Sequence, residues 1–178
     1  MEPGCERRAI LERLRRHVPA NSAWGRRLSG QLGQTEITVG VHLAIFVEPF
    51  LTAVLDGRKT IESRFGIHRR PPYRCVDRND IILIKRSGGP IVGVAQAGAA
   101  TFHQLSPTVL SDIRERFAGQ LFALDEDFWE SRADKQYATL IELNDPSEIT
   151  PFPFPKRDRQ GWVIIDRRPE REPQLAFR

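Results

Sequence analysis

The densest group of side chains able to do chemistry lies in one eight-residue segment, Gly57 to Arg64, which reads Gly-Arg-Lys-Thr-Ile-Glu-Ser-Arg. Lysine and arginine can hold a phosphate or a carbonyl oxygen. A glutamate can accept hydrogen bonds from a base edge, or act as a general base if burial raises its pKa. These residue types predict a site for an anionic or nucleotide-like ligand, with Lys59 and Glu62 as the candidate catalytic residues.

The residues around this segment predict how its side chains are placed. A short helix that ends at Gly57 should lead into a strand over residues 59–65. Alternate side chains of a strand share a face. One face would carry Thr60, Glu62 and Arg64, and the other Ile61, Ser63 and Phe65. Lys59, at the turn before the strand, can bend toward the same hollow as Glu62. The plainer alternative is a solvated strand face with a Glu62–Arg64 ion pair worth at most ~1 kcal/mol.

A basic loop over residues 69–79 follows the segment. Between residues 58 and 78 the chain has seven lysines and arginines against two acids. Tyr73 beside Arg74 suits stacking on a base, although a loop tyrosine that covers the end of a barrel is the commoner case. The predicted ligand-binding residues are therefore Lys59, Thr60, Glu62, Arg64, Arg69, Arg70, Tyr73 and Arg74, and Gly57 is the structural residue of the motif.

Length and composition limit the classes of protein. The chain has 178 residues, 40% of them hydrophobic, and a formal charge of +4, which suit one domain with a polyanionic partner. No apolar run approaches the ~18 residues that span a bilayer, and charges soon interrupt the apolar residues 9–11. We therefore predict a cytoplasmic protein without a membrane partner. Cys5 and Cys75 form neither a disulfide framework nor a zinc pattern, so no metal or cofactor is predicted.

The order of predicted elements indicates an α+β fold. Strands and helices do not alternate regularly, which favours a small mixed or antiparallel β-barrel with short peripheral helices and an N-terminal helical extension. Ser87 to Pro90 predicts a hairpin turn between two apolar strands. We divide the chain into three parts. They are an arginine-rich extension over 1–35, with a helix in 1–18 and a linker in 19–33, a β-barrel domain over 36–166, and a disordered tail over 167–178.

The pattern of motif and elements resembles the ASCH domain of the PUA-like superfamily. That family has a strand, a short helix and a G-x-K-x-x-E-x-R motif, and Gly57, Lys59, Glu62 and Arg64 match its four named positions. The later strands and a closing Gly161-Trp162 also fit, so the resemblance covers roughly residues 41–166. It implies a PUA-like β-barrel whose cleft is lined by the motif and binds RNA or modified nucleotides.

Three functions remain open at this point. The first is a binder of RNA or a modified nucleotide. The second is a small hydrolase that uses the same cleft, either a ribonuclease or a nucleoside amidohydrolase. The amidohydrolase branch of the resembling family has a threonine nucleophile where this chain has Glu62, so that set does not carry over directly. The third is an interaction module that docks a protein partner through residues 1–18.

Overall fold

This computed structural model describes residues 5–155 and 160–169. The chain forms five helices and six strands within these ranges. The helices are α1 (Cys5–Arg16), α2 (Ala23–Leu32), α3 (Phe50–Leu55), α4 (Pro107–Leu121) and α5 (Glu126–Glu130). The strands are β1 (Val41–Phe46), β2 (Ile61–Gly66), β3 (Ile81–Arg86), β4 (Ile91–Gln104), β5 (Tyr137–Phe152) and β6 (Trp162–Asp166). No helix in these two ranges is long and apolar enough to cross a bilayer.

One mixed sheet holds all six strands in the order β2-β5-β4-β3-β1-β6. The β1–β3 pair is parallel, and the other four pairs are antiparallel. The sheet curls into a half-barrel with the short helices around it, which confirms the α+β prediction of a mixed, barrel-like fold. The predicted hairpin is present too, because β3 and β4 pair on either side of Ser87–Pro90, where Gly88 has a φ of +69°.

The N-terminal helices are built into the sheet's core. Leu11, Leu14, Trp24 and Leu28 are buried against strand residues such as Leu43. The helix predicted within residues 1–18 is therefore α1. The linker interpretation of residues 19–33 is wrong for α2, which Ser22 caps by accepting a hydrogen bond from the Gly25 N–H at 2.9 Å. The division of the chain into an extension over residues 1–35 and a separate domain stays a prediction.

The end of the described chain is also held in place. The Arg168 guanidinium lies 2.8 Å from the buried Asp80 carboxylate, and Arg7 pairs with Asp166 at 2.7 Å. At Arg168 the chain is therefore anchored rather than disordered. The rest of the predicted tail, from residue 170 onward, lies outside the described residues.

Candidate functional site

Local backbone structure places Lys59 inside the protein. Helix α3 ends at its C-cap Asp56, and Gly57 follows with a φ of +73°, the left-handed conformation that glycine adopts without strain. The Lys59 N–H then donates to the Ala53 carbonyl at 2.8 Å, which turns the chain back under the helix. The Lys59 side chain is only 3% exposed, and its Nζ donates to the carbonyl oxygens of Ile61 (2.7 Å) and Leu121 (3.0 Å).

Glu62 joins the two cations of the motif into one cluster, in which Lys59 and Glu62 are buried and Arg64 is partly exposed. Its Oε2 lies 3.3 Å from Lys59 Nζ, and its Oε1 lies 2.8 Å from Arg64 Nε. Arg64 also donates from Nη2 to the Ile45 carbonyl at 2.9 Å. We call Lys59, Glu62 and Arg64 the motif triad. The predicted contact between Glu62 and Arg64 is present, and Lys59 reaches the same carboxylate from the preceding turn.

Burial changes the protonation of Lys59. Loss of hydration lowers the pKa of its amine, and the neighbouring Glu62 carboxylate opposes that change only in part. The guanidinium groups of Arg64 and Arg132 lower it further. The charged form of Lys59 is therefore less favoured than in an exposed lysine.

The motif triad lines a small cavity of about 160 Å³, which we call the first cavity. Its lining residues are Ile45, Phe46, Val47, Phe50, Lys59, Glu62, Ser63, Arg64, Phe128 and Arg132. Three of these side chains are cationic and one is a carboxylate, so the cavity has a surplus of positive charge. Phe50 and Phe128 supply aromatic wall, with their ring centroids 6.1 Å apart. The combination suits a ligand with both a negative charge and a flat ring.

Arg132 is the site residue that sequence reasoning missed. It lies in the turn after α5, and its guanidinium carbon stands 3.5 Å from the centroid of the Phe128 ring. Its Nη1 donates to the Phe128 carbonyl at 2.7 Å. Burial lowers the pKa of Arg132, and Glu62 opposes that change. No local signal indicates this role, because Arg132 sits in an acidic stretch far from the motif in sequence.

Thr60 does not reach the first cavity. It precedes β2 and is exposed, so the alternation of a strand does not apply to it. Its N–H donates to the Gln120 carbonyl (3.0 Å) and its carbonyl accepts from the Leu143 N–H (2.8 Å). Ser63, expected on the opposite face, borders the cavity instead.

The basic loop forms a second cavity of about 380 Å³ beside the first. Its lining residues are Arg64, Phe65, Gly66, Ile67, His68, Arg70, Pro71, Pro72, Tyr73, Lys135, Tyr137 and Thr139. Of the predicted loop residues, Arg70 and Tyr73 line it. Arg69 lies with its guanidinium 5.0 Å from the Tyr137 ring, and Arg74 is exposed, 5.7 Å from the Tyr73 ring. Arg64 is common to both cavities.

Comparison with known proteins identifies the architecture. No protein-family model matches the sequence, and no curated protein matches it. Among solved structures, ASCH from Zymomonas mobilis superposes with a TM-score of 0.56 at 19% identity, over 70% of this chain and 86% of that chain. Its tyrosine-to-phenylalanine mutant gives a TM-score of 0.55 at 18% identity, over 70% and 88% of the two chains. Its serine-to-alanine mutant gives 0.56 at 18%, over 70% and 87%.

This chain has the ASCH fold. The resemblance expected from the motif and the order of elements is thereby confirmed for the architecture.

A buried chain of polar contacts links strands β1 and β6 of this ASCH fold to the motif triad. The Trp162 indole N–H donates to His42 Nδ1 at 3.3 Å, and His42 Nε2 lies 3.1 Å from Asp80 Oδ2. The Trp162 ring in turn lies under the Arg64 guanidinium, at 5.7 Å. Because Nδ1 accepts a hydrogen bond from Trp162, these contacts assign the His42 proton to Nε2. They also hold the Trp162 ring in position beside the Arg64 guanidinium.

Asp80 is ionised at the base of this chain. Burial by itself would raise the pKa of the Asp80 carboxyl group. Hydrogen bonds from His42, the Asp77 N–H, Arg168 and the Gly40 N–H outweigh that effect, so the pKa lies below its ordinary value. No group of three potential metal ligands occurs in the described ranges, 5–155 and 160–169.

Proposed function

We propose that this ASCH-fold protein binds RNA or a nucleotide in the first cavity, with the motif triad as its floor. The observation that carries the proposal is the composition of that cavity. Lys59, Arg64 and Arg132 meet a single carboxylate there, and Phe46, Phe50 and Phe128 supply aromatic surface. A nucleotide has a phosphate for the cations and a base for the aromatic wall.

Each group has a distinct role in this proposal. Arg64 and Arg132 are the more open cations, and a guanidinium binds phosphate through two parallel N–H donors. Lys59 holds Glu62 in place, because its amine is occupied by two carbonyl oxygens and by that carboxylate. Glu62 keeps further acceptor sites on its two oxygens, which suit an amino group on the edge of a base.

Binding of single-stranded RNA at several salt concentrations tests the proposal. The affinity should fall steeply with salt, since log K decreases by about 0.7 per phosphate contact for each decade of salt. Arg132→Gln should weaken binding by about tenfold, the loss of one charge-assisted contact, and Lys59→Ala should weaken it by releasing the Glu62 carboxylate that Lys59 holds in place. Arg16→Gln removes an exposed arginine from α1 and should leave the affinity unchanged. Absent binding, or binding that does not depend on salt, would overturn the proposal.

Hydrolysis of RNA or of an acylated nucleoside is the second candidate function. The contact between Lys59 and Glu62 favours it, because an amine and a carboxylate 3.3 Å apart can give and take a proton during hydrolysis. Incubation of labelled RNA and of acylated nucleosides with wild type and with Glu62→Gln tests this candidate. Turnover that disappears in the variant supports it. The absence of turnover, or turnover that the substitution leaves unchanged, rejects it.

Docking of a protein partner through α1 has less support. The apolar side chains that such a helix would offer, Ile10, Leu11 and Leu14, are buried in the domain's own core. A partner would therefore meet only the polar side of α1. If deletion of residues 1–35 left a folded domain that lost a partner, this alternative would regain support.

A further inference from the structure

The two cavities adjoin each other, and one side chain borders both. Arg64 lines the first cavity with the motif triad and the second cavity with the basic loop. We propose that the second cavity is a subsite for the neighbouring nucleotide, so that the ligand is a single-stranded oligonucleotide of at least two nucleotides that crosses Arg64. This inference rests on the proposed function, because it extends the same binding site.

The second cavity has the groups that a nucleotide needs. Arg70, Lys135 and His68 supply positive or protonatable groups, and Tyr73 and Tyr137 supply rings. Those two rings meet edge to face with centroids 5.3 Å apart, so they form a fixed aromatic surface. Aromatic side chains interleaved with cations are the usual composition of single-strand binding surfaces.

Cationic side chains outnumber acidic ones in the lining of both cavities. The lining of the second cavity includes no aspartate or glutamate, and Glu62 is the one acid in the lining of the first. A phosphate that links two nucleotides would therefore pass over Arg64 without an opposing carboxylate other than Glu62. That carboxylate is already within 2.8 Å of Arg64 and 3.3 Å of Lys59.

Arg64 is held firmly enough to act as a fixed contact between subsites. Its Nε faces Glu62, and its Nη2 donates to the Ile45 carbonyl. Its guanidinium carbon lies 5.6 Å from the Phe46 ring centroid, while Gly161 leaves room for Nη1. A Cβ at residue 161 would stand only 2.5 Å from that nitrogen. A contact fixed in this way favours one path of the phosphate backbone.

Exposed apolar side chains mark the same two places. Among described residues, the exposed large hydrophobic side chains are Val47, Ile67 and Leu124. Val47 (55% exposed) borders the first cavity, and Ile67 (45% exposed) borders the second. A base or a ribose can pack on this apolar surface at each cavity. A site that binds only phosphate would not require it.

Calorimetric titration with ligands of increasing length tests the inference. The ligands are a nucleoside 3′,5′-bisphosphate, a dinucleotide with matched terminal phosphates, and that dinucleotide without its second base. The wild-type protein should bind the dinucleotide about tenfold more tightly than the bisphosphate, from stacking of the added base together with the contact of Arg70 with the added nucleotide. Removal of the second base, or the substitution Arg70→Gln, should abolish most of that gain. Arg16→Gln should retain it.

The outcomes separate the inference from the proposed function. If the bisphosphate binds but the dinucleotide binds no more tightly, the second subsite is rejected and the first cavity remains a nucleotide site. If the gain persists without the second base and in Arg70→Gln, the added affinity comes from elsewhere, and the second subsite is again rejected. If none of the three ligands binds, both the inference and the proposed function are overturned. Arg70 is exposed and its side chain supports no element, so the variant should fold normally.

Discussion

The motif triad and the basic loop both contain charged side chains, but those of the triad are largely buried and those of the loop are exposed. Lys59 and Glu62 are almost completely buried, and most of their polar contacts are made within the protein. Arg69 and Arg70 are exposed and remain in contact with water. A buried ion cluster loses hydration and must recover it through close contacts, whereas exposed cations keep their hydration. Stability should therefore depend on the triad, and the dependence of binding on salt should come largely from the loop.

Glu62→Gln should show the largest effect, because it removes the carboxylate that pairs with the buried Lys59 and the partly buried Arg64. We expect the free energy of unfolding to fall by about 3 kcal/mol, the usual result of removing one partner from a buried ion cluster. Chemical denaturation measures this change. The matched control is Asp56→Asn, which breaks the exposed Arg58–Asp56 pair and should cost less than ~0.5 kcal/mol. Equal losses in the two variants would remove the distinction between buried and exposed charge.

Asp80→Asn should lower the free energy of unfolding by about 2 kcal/mol at neutral pH, since several charge-assisted hydrogen bonds lose their ionised acceptor. The pKa of Asp80 is lowered on folding, so its ionised form stabilises the protein above the ordinary value of 3.8. That contribution should disappear as the pH falls from 3.8 through the lower, folded-state pKa. Unfolding curves of wild type and variant between neutral and acidic pH should therefore converge at low pH. A constant difference would contradict the account of Asp80.

Gly161→Ala should disturb Arg64 with a smaller effect on stability. The new methyl group would stand 2.5 Å from Nη1 and displace the guanidinium from Glu62 and Trp162. We expect a loss of about 1 kcal/mol in unfolding free energy, together with weaker RNA binding. Gly119→Ala is the control, because nothing lies within 4 Å of its new Cβ in helix α4. If both variants bound RNA as wild type does, Arg64 would not be a ligand contact.

Arg69→Gln and Arg70→Gln should have the smallest effect on stability, within ~0.5 kcal/mol, because both side chains are exposed. Their effect should appear in the salt dependence of RNA binding, where each lost phosphate contact reduces the slope of log K against log salt by about 0.7. Binding at four salt concentrations measures this slope. An unchanged slope in both variants would remove the loop from the binding surface.

Sequence predicted the parts of the site that depend on local geometry. The Glu62–Arg64 contact follows from alternation on one strand, and the role of Gly57 follows from the way helices end. The deep burial of Lys59 could not be predicted, because one of its acceptors, the Leu121 carbonyl, comes from the end of α4. Arg132 was missed for the same reason, since only tertiary packing brings it to the cavity.

For the fold, as for the site, local sequence patterns predicted some features, and others depend on tertiary contacts. The mixed, barrel-like sheet and its hairpin could be inferred from apolar runs and turn residues. The sequence of helix α2 is typical of a linker because Gly25, Ser29 and Gly30 weaken its helix propensity. The burial of Trp24 and Leu28 against the sheet stabilises this helix, and that contact is visible only in the folded chain.

A crystal structure of the protein with a bound dinucleotide would show directly whether the first cavity is the nucleotide site. The account predicts a base or phosphate in the first cavity, in contact with Arg64 and Arg132 and close to Glu62. It also predicts that the linking phosphate lies over Arg64, toward Tyr73 and Tyr137. Electron density for the nucleotide at another surface, with the first cavity empty at a ligand concentration that saturates binding in solution, would contradict it.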